Sequence, residues 1–304
     1  MSNEAEERAR NGGIVNSLNR TCYIKMRTMQ NLDPIRHFTA ANPGYMTLEG
    51  TNQYLLGKDE ITVIDVALSS PGNIDGIIEQ AEAMGGGKIE KILLTHIHSD
   101  HCGGALALKK RTGAKLGISR LRANAMSGID FTYADGDAIP YDGGELSVVH
   151  TPGHESGHCC FYEGALKTLF TGDHILGRGT TVIPPPDGDM ALYIQSLEKL
   201  LALELGRLLP GHGPTIGDPY GKIREYIEHR LMRERQVLRC LQDGCQTISE
   251  ITAQIYTDTP PALMSMAEYS VEAHLVKLVG ERKVIKEGSS SFRVAHRRGA
   301  EGAE

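Results

Sequence analysis

Thr95-His96-Ile97-His98-Ser99-Asp100-His101, followed by Gly103-Gly104, is the stretch that decides the fold. It sets three imidazoles and a carboxylate within six residues, directly after the apolar run Ile89–Thr95, which reads as a strand. In a strand-to-helix loop alternate positions point the same way, so His96 and His98 can bind one ion. Asp100 and His101, a turn later, can face a second ion beside it. Three positions downstream repeat the chemistry: His154 in Pro152-Gly153-His154, Asp173 after Gly172, and His212 in Gly211-His212-Gly213. Each stands at the end of an expected strand, beside a glycine that lets the backbone turn sharply. A lone buried histidine is more often a hydrogen-bonded core residue than a ligand. Five histidines and two aspartates, all at strand ends, read instead as a metal-binding set.

Around this motif the chain alternates short strands and helices. Strands are expected at Tyr54–Leu56, Ile61–Val66, Lys115–Ile118, Leu146–His150, Cys159–Tyr162, Leu169–Thr171 and Arg207–Leu209. Helical spacing marks Ile74–Met84, Ala105–Arg111 and Met190–Leu203. Gly217-Asp218-Pro219 breaks the pattern. Beyond it come a long charged helix near 219–243, helices at Thr247–Tyr256 and Val271–Glu281, and a hairpin from Val284–Lys286 and Phe292–Val294. Three helices and a two-stranded wing describe a winged-helix-like module. The expected divisions are a partly ordered leader (1–36), an α/β catalytic domain (37–216), the winged-helix-like domain (217–296) and a tail (297–304).

With 304 residues, 40% apolar and 23% charged, the chain can bury a large core without disulfides. No apolar run approaches the roughly 20 residues of a membrane span, and Met1–Arg10 lacks the apolar core of a secretory signal. The six cysteines (Cys22, Cys102, Cys159, Cys160, Cys240 and Cys245) follow no framework spacing and read as reduced thiols of a cytoplasmic protein. A net charge of −6 excludes a protein basic all over, though not a local cationic patch.

The order T-H-x-H-x-D-H, lone His, Asp after Gly, then G-H-G makes residues 37–216 resemble the metallo-β-lactamase superfamily. The resemblance implies a four-layer αβ/βα sandwich with the metals at one edge of its two sheets. One ion would sit on His96, His98 and His154, the other on Asp100, His101 and His212, with Asp173 bridging. Imidazole and carboxylate ligands suit two Zn²⁺ per chain, with Mn²⁺ or Fe as alternatives. Two metals about 3.5–4 Å apart share a water and lower its pKa toward about 7, so the expected reaction is hydrolysis by a metal-bound hydroxide. Asp100 is then the catalytic proton shuttle. No G-x-S-x-G nucleophile elbow is present.

Asn42–Asn52, Gly172–Val182 and the C-terminal segment look like the lactamase-beta-like protein 2 group, over about 40–287. That group includes an endoribonuclease of single-stranded RNA, so a phosphodiesterase on such RNA is the first expectation. The retained Asp173 argues against a dedicated β-lactamase. Only 39 positions separate Asp173 from His212, too few for the domain that β-CASP nucleases insert there. The alternative is a thioesterase or lactonase of glyoxalase II type on a small acyl substrate, with weak β-lactamase turnover as a side activity. It shares the T-P-G-H-x-x-G-H run (Thr151–His158), but its lysine-rich C-terminal motif is missing here. A further alternative is a non-catalytic, metal-dependent nucleic-acid-binding regulator. No membrane partner is expected, and homo-oligomerisation stays open.

Outside the ligand set, Thr51, Asn52, His174 and Arg178 are candidates for substrate contact, and His158, four after His154, for a place behind the ligands. The helix near 219–243 carries Lys222, Arg224, Arg230, Arg233, Arg235 and Arg239 against Glu225, Glu228 and Glu234. A solvated face is its ordinary reading, and a cationic wall for nucleic acid the functional one. With no Trp, 5 Phe and 11 scattered Tyr, no stripe for base stacking stands out.

Overall fold

In a computed structural model, which describes residues 31, 32 and 34–295, two sheets face one another and helices cover both outer faces. The first sheet runs in chain order: β1 (Asn31–Leu32), β2 (Ile35–Thr39), β3 (Asn52–Leu56), β4 (Glu60–Ile64), β5 (Lys88–Leu93), β6 (Lys115–Ser119) and β7 (Phe131–Tyr133). It is antiparallel from β1 to β4 and parallel from β4 to β7. The second has the order β12 (Arg207–Pro210), β11 (Thr168–Gly172), β10 (Cys159–Glu163), β9 (Gly144–His150) and β8 (Ala138–Tyr141).

Both faces of each sheet are buried, which is why these strands read as continuous apolar runs rather than alternating ones. Alternation survives as a choice between two cores. Tyr54, Leu56, Ile64 and Leu93 meet Leu146, Val148, Phe161 and Phe170 between the sheets. Leu55, Ile61, Val63 and Ile92 instead pack outward on helices α1 (Pro71–Ala83) and α3 (Ala105–Thr112). Cys160, Leu169 and Leu208 of the second sheet pack on α4 (Met190–Leu200) and α5 (Pro219–Gln242). The layers are therefore αβ/βα.

After α5, whose first turn is capped by the Asp218 carboxylate accepting from Gly221 N–H at 2.9 Å, come α6 (Ile248–Ile255) and α7 (Met264–Gly280). A hairpin of β13 (Val284–Glu287) and β14 (Ser291–Val294) completes the winged helix. Its core is Val237, Leu241, Ile251, Val271, Leu275, Leu278 and Phe292. Ala273 of α7 reaches past it into the core beneath the second sheet, joining the two modules.

Several sequence expectations are corrected. The stretch 1–36 is not all leader, because β1 and β2 open the first sheet and Ile35 enters the inter-sheet core, a run too short to show a period. Residues 1–30 and the expected tail lie outside the described residues. β7 and β8 went unpredicted: one has three residues, and the other carries Pro140, tolerated because β8 is an edge strand. α7 starts seven residues earlier than its spacing indicated, at Met264 rather than Val271, following a 3₁₀ turn at Pro261–Leu263.

A candidate two-metal centre

The site lies where strands of both sheets end. β5 runs out at Leu93, and the next residues are fixed by Asp65, just after β4. Its carboxylate accepts from Thr95 N–H at 2.7 Å and from Thr95 Oγ1 at 2.8 Å. The short helix α2 (Ser99–Cys102) follows, bringing His101 back so that its Nδ1 lies 2.7 Å from Asp65 Oδ2. One buried carboxylate thus pins both ends of the motif. From the second sheet, the turn before β10 supplies His154, β11 hands over to Asp173, and β12 to His212. Two glycines permit the convergence: a Cβ on Gly172 would lie 2.6 Å from Thr95 Oγ1, and one on Gly211 would lie 2.6 Å from His101 Cε1.

All seven expected ligands converge, in two groups: His96, His98 and His154; and Asp100, His101, Asp173 and His212. In the first, His98 Nδ1 lies 3.1 Å from His96 Nε2 and 2.9 Å from His154 Nε2. In the second, His101 Nε2 and His212 Nε2 are 3.2 Å apart. Asp100 Oδ2 is 3.3 Å from His212 Nε2. Asp173 stands between the groups: Oδ1 is 3.1 Å from His101 Nε2 and 3.3 Å from His212 Nε2, while Oδ2 is 3.8 Å from His154 Nε2.

The outward ring nitrogens decide what the inward ones can do. His154 Nδ1 donates to the Val182 carbonyl at 2.7 Å, His212 Nδ1 to the Gly50 carbonyl at 3.2 Å, and His101 Nδ1 to Asp65. Thr95 Oγ1, which spends its proton on Asp65, accepts from His96 Nδ1 at 3.0 Å. Each of these rings therefore turns an Nε2 lone pair inward. Lone pairs 3 Å apart repel unless a cation lies between them, and Asp173 Oδ1, buried there, finds no hydrogen-bond donor among the described residues. The residues fit two divalent ions.

Protonation preferences agree in the first group, whereas in the second two rings hold a proton that an incoming cation would have to displace. Burial, reinforced by neighbouring imidazoles, holds His96 well below the usual range and pushes His98 down to about 4. Burial also lowers His154. In the second group burial is outweighed: Asp173 and Asp65 raise His101 well above its usual value, and Asp173 with Asp100 pushes His212 up to about 9. Burial would raise Asp173, but the charges of His101 and His212 hold its carboxyl well below the usual range. Negative charge has been gathered for a cation to balance.

The other expected site residues divide. Arg178 is exposed at the mouth, ion-paired with Glu49. His158 lies behind the ligands, its ring centroid 5.2 Å from that of His96 and its Nδ1 2.9 Å from Thr151 Oγ1. Thr51, Asn52 and His174 do not reach the groove. Thr51 is fully buried, with its backbone paired to His212. Asn52 Nδ2 donates to the Pro210 and Gly213 carbonyls, both at 2.9 Å, and so staples the turn that carries His212. His174 is fully buried between His158 and Tyr193. Asn and Thr after a glycine carry the same signal whether they touch a ligand or brace a turn, which is why sequence placed them at the groove. Asp65 was missed, since a single acid after an apolar strand has no spacing to mark it.

Residues 46–212 match the family described as the Metallo-beta-lactamase superfamily, and residues 247–293 match the Beta-lactamase associated winged helix domain. The chain belongs to the metallo-beta-lactamase superfamily. Within it, the chain is 34% identical over 266 residues to the Beta-lactamase-like protein 2 homolog of Caenorhabditis elegans, covering 83% of this chain and 89% of that one. The Drosophila melanogaster homolog of the same name is 35% identical over 280 residues, covering 83% and 91%. An Atrochrysone carboxyl ACP thioesterase of Aspergillus chevalieri is 34% identical over 257 residues, covering 81% and 80%. Among solved structures, a beta-lactamase domain protein from Burkholderia ambifaria superposes with a TM-score of 0.75 at 20% identity, covering 89% of this chain and 94% of that one. A metallo-beta-lactamase family protein from Thermus thermophilus gives a TM-score of 0.73, also at 20% identity, covering 87% and 100%. Among the described residues no helix is long and apolar enough to cross a membrane.

Proposed function

We propose that this chain is a two-zinc phosphodiesterase that cuts single-stranded RNA. The observation that carries the reading is Asp173, with one oxygen toward each ligand group, lining a cavity of 250 Å³ that Arg178, Arg230 and Arg233 also line. A centre that splits phosphodiesters needs cations on the scissile group and positive charge for the rest of the strand. Two zinc ions held by His96, His98, His154, Asp100, His101, His212 and Asp173 would lower the pKa of a shared water and polarise the phosphoryl oxygen. The chain's own residues do the remainder. Before an ion binds, burial favours protonation of Asp100, but a proton on His212 Nε2 bonds its carboxylate and holds it below the usual range, so it is ionised at neutral pH. Partly exposed, Asp100 can take the proton from the attacking water at Oδ2 and return it to the leaving oxygen.

Metal-loaded protein is expected to cleave labelled single-stranded RNA, and Asp100→Ala to lose at least about 100-fold in kcat while staying folded by circular dichroism. Unchanged turnover would remove Asp100 from the mechanism. A second reading, thioester hydrolysis, is favoured by Met46, Leu48, Leu263 and Met266 on the same cavity and by the relative named as a thioesterase. Turnover of a chromogenic acyl thioester with RNA left intact would replace the first reading by the second.

A further inference from the structure

α5 passes the metal centre with two guanidinium groups that make no ion pair among the described residues. Arg230 is only 1% exposed. Its Nη2 donates to the Thr181 carbonyl at 2.5 Å and its guanidinium lies 5.2 Å from the Tyr193 ring centroid, but Nε has no acceptor. Arg233, half-buried one turn on, lies 4.4 Å over the Tyr256 ring and bonds only Gln236 Oε1 and, at 3.5 Å, the Ile255 carbonyl; its Nε is likewise unsatisfied. Both line the 250 Å³ cavity that Asp173 also lines. Lys277 and Lys283 of this module, by contrast, share Glu234 and Glu281 on another face.

A guanidinium cannot shed its charge, and burying one without a counter-charge is costly unless a ligand supplies it. Among the described residues no carboxylate pairs with either guanidinium. On the same cavity, half-buried His229 is pushed down to about 4, by burial first and then by Arg230 and Arg233, so it neither adds nor neutralises charge at pH 7. The planar fork of a guanidinium matches the paired oxygens of a phosphate, and two forks on one wall suit a substrate bearing a phosphate at that place.

We propose that Arg230 and Arg233 form a phosphate subsite adjoining the metal centre, which seats the phosphate next along the strand from the one being cut. The identity of the ligand rests on the phosphodiesterase reading; the cationic pocket itself does not. Arg233 carries the test, since replacing the fully buried Arg230 endangers the fold. The subsite is read by fluorescence anisotropy of labelled oligouridylate on the full-length protein with Asp100→Ala as background so that the strand is not consumed, the metal content being measured and equal in every variant compared. Arg233→Gln is expected to weaken binding about tenfold and to reduce the slope of log affinity against log salt by about 0.7, one phosphate contact on a single strand. Arg233→Lys should restore the slope but only part of the affinity. In the active protein, Arg233→Gln should raise KM for RNA with kcat within about twofold. Unchanged affinity and slope would overturn the subsite, whether or not RNA is cut. If RNA is never cut but the slope falls as expected, the phosphodiesterase reading fails and the phosphate site stands. An equal rise in KM for a phosphate-free thioester would overturn the assignment to phosphate.

Discussion

Asp65 shows how much of a candidate metal centre is decided by a group outside the set of candidate ligands. It binds Thr95 twice and His101 once, and it sits in the left-handed region at φ 60°. Asparagine tolerates that backbone and keeps the shape, but both carboxylate oxygens accept, so Asp65→Asn removes the charge and turns one acceptor into a donor. Its expected effect is a loss of about 10–100-fold in affinity for the ion nearest His101, read by competition with a chromophoric chelator. Affinity within twofold of the parent would show that neither the charge nor the second acceptor oxygen of Asp65 is needed to hold the ion. Asn52 makes a parallel case. Asn52→Ala leaves the Pro210 and Gly213 carbonyls without their donor and should cost about 1–3 kcal/mol in urea unfolding. It should also loosen the ion on His212 more than the one on His96, measured as unequal metal release. The seven converging side chains were legible because coordination restricts residue type, and strand ends beside glycines restrict position. Asp65 and Asn52 were not, because their partners are a hydroxyl and carbonyls from distant strands, which leave no pattern along the chain.

Among the elements, those with local signals matched their expectations within a few residues. α6 is announced by its capping box, in which Thr247 and Glu250 satisfy each other's backbone N–H. β8 is announced by nothing, since edge position alone excuses its proline. α7 brings a buried titratable group into the winged helix. His274 is 1% exposed, with neither ring nitrogen hydrogen-bonded among the described residues. Burial, then Arg230, Lys277, His229 and Arg233, push it down from 6.5 to about 3. Its pKa is lower folded than unfolded, so the unfolded chain binds the extra proton. The associated stability is complete above about pH 6.5 and is lost as pH falls from there toward about 3, at up to about 1.4 kcal/mol per pH unit. Unfolding midpoints measured between pH 7 and 5 should therefore decline less steeply in His274→Leu than in the parent. Identical slopes would mean that His274 is not the group responsible.

Across the whole molecule, the two sheets place their ligand-bearing ends at one rim, and the winged helix closes the outer face of the second sheet. Ile223 and Tyr226 of α5 and Ala273 of α7 are buried with Val149, Leu169 and Leu208. A chain ending at residue 217 would expose that surface. It is expected to aggregate rather than elute as a discrete species in size-exclusion chromatography, although every ligand precedes the cut. A monodisperse, metal-binding product would show instead that the catalytic module is self-sufficient.

Thr181 links the two modules at the scale of single atoms. Its carbonyl accepts from Arg230, its hydroxyl lies 3.3 Å from His154 Nδ1, and the next carbonyl in the chain orients that same imidazole. Arg230 of the appended module and the His154 imidazole are thereby joined through one peptide unit. The orientation of one candidate ligand therefore depends on a side chain of the appended module, so grafting a relative's wing onto this body is expected to shift metal affinity while leaving all seven candidate ligands in place.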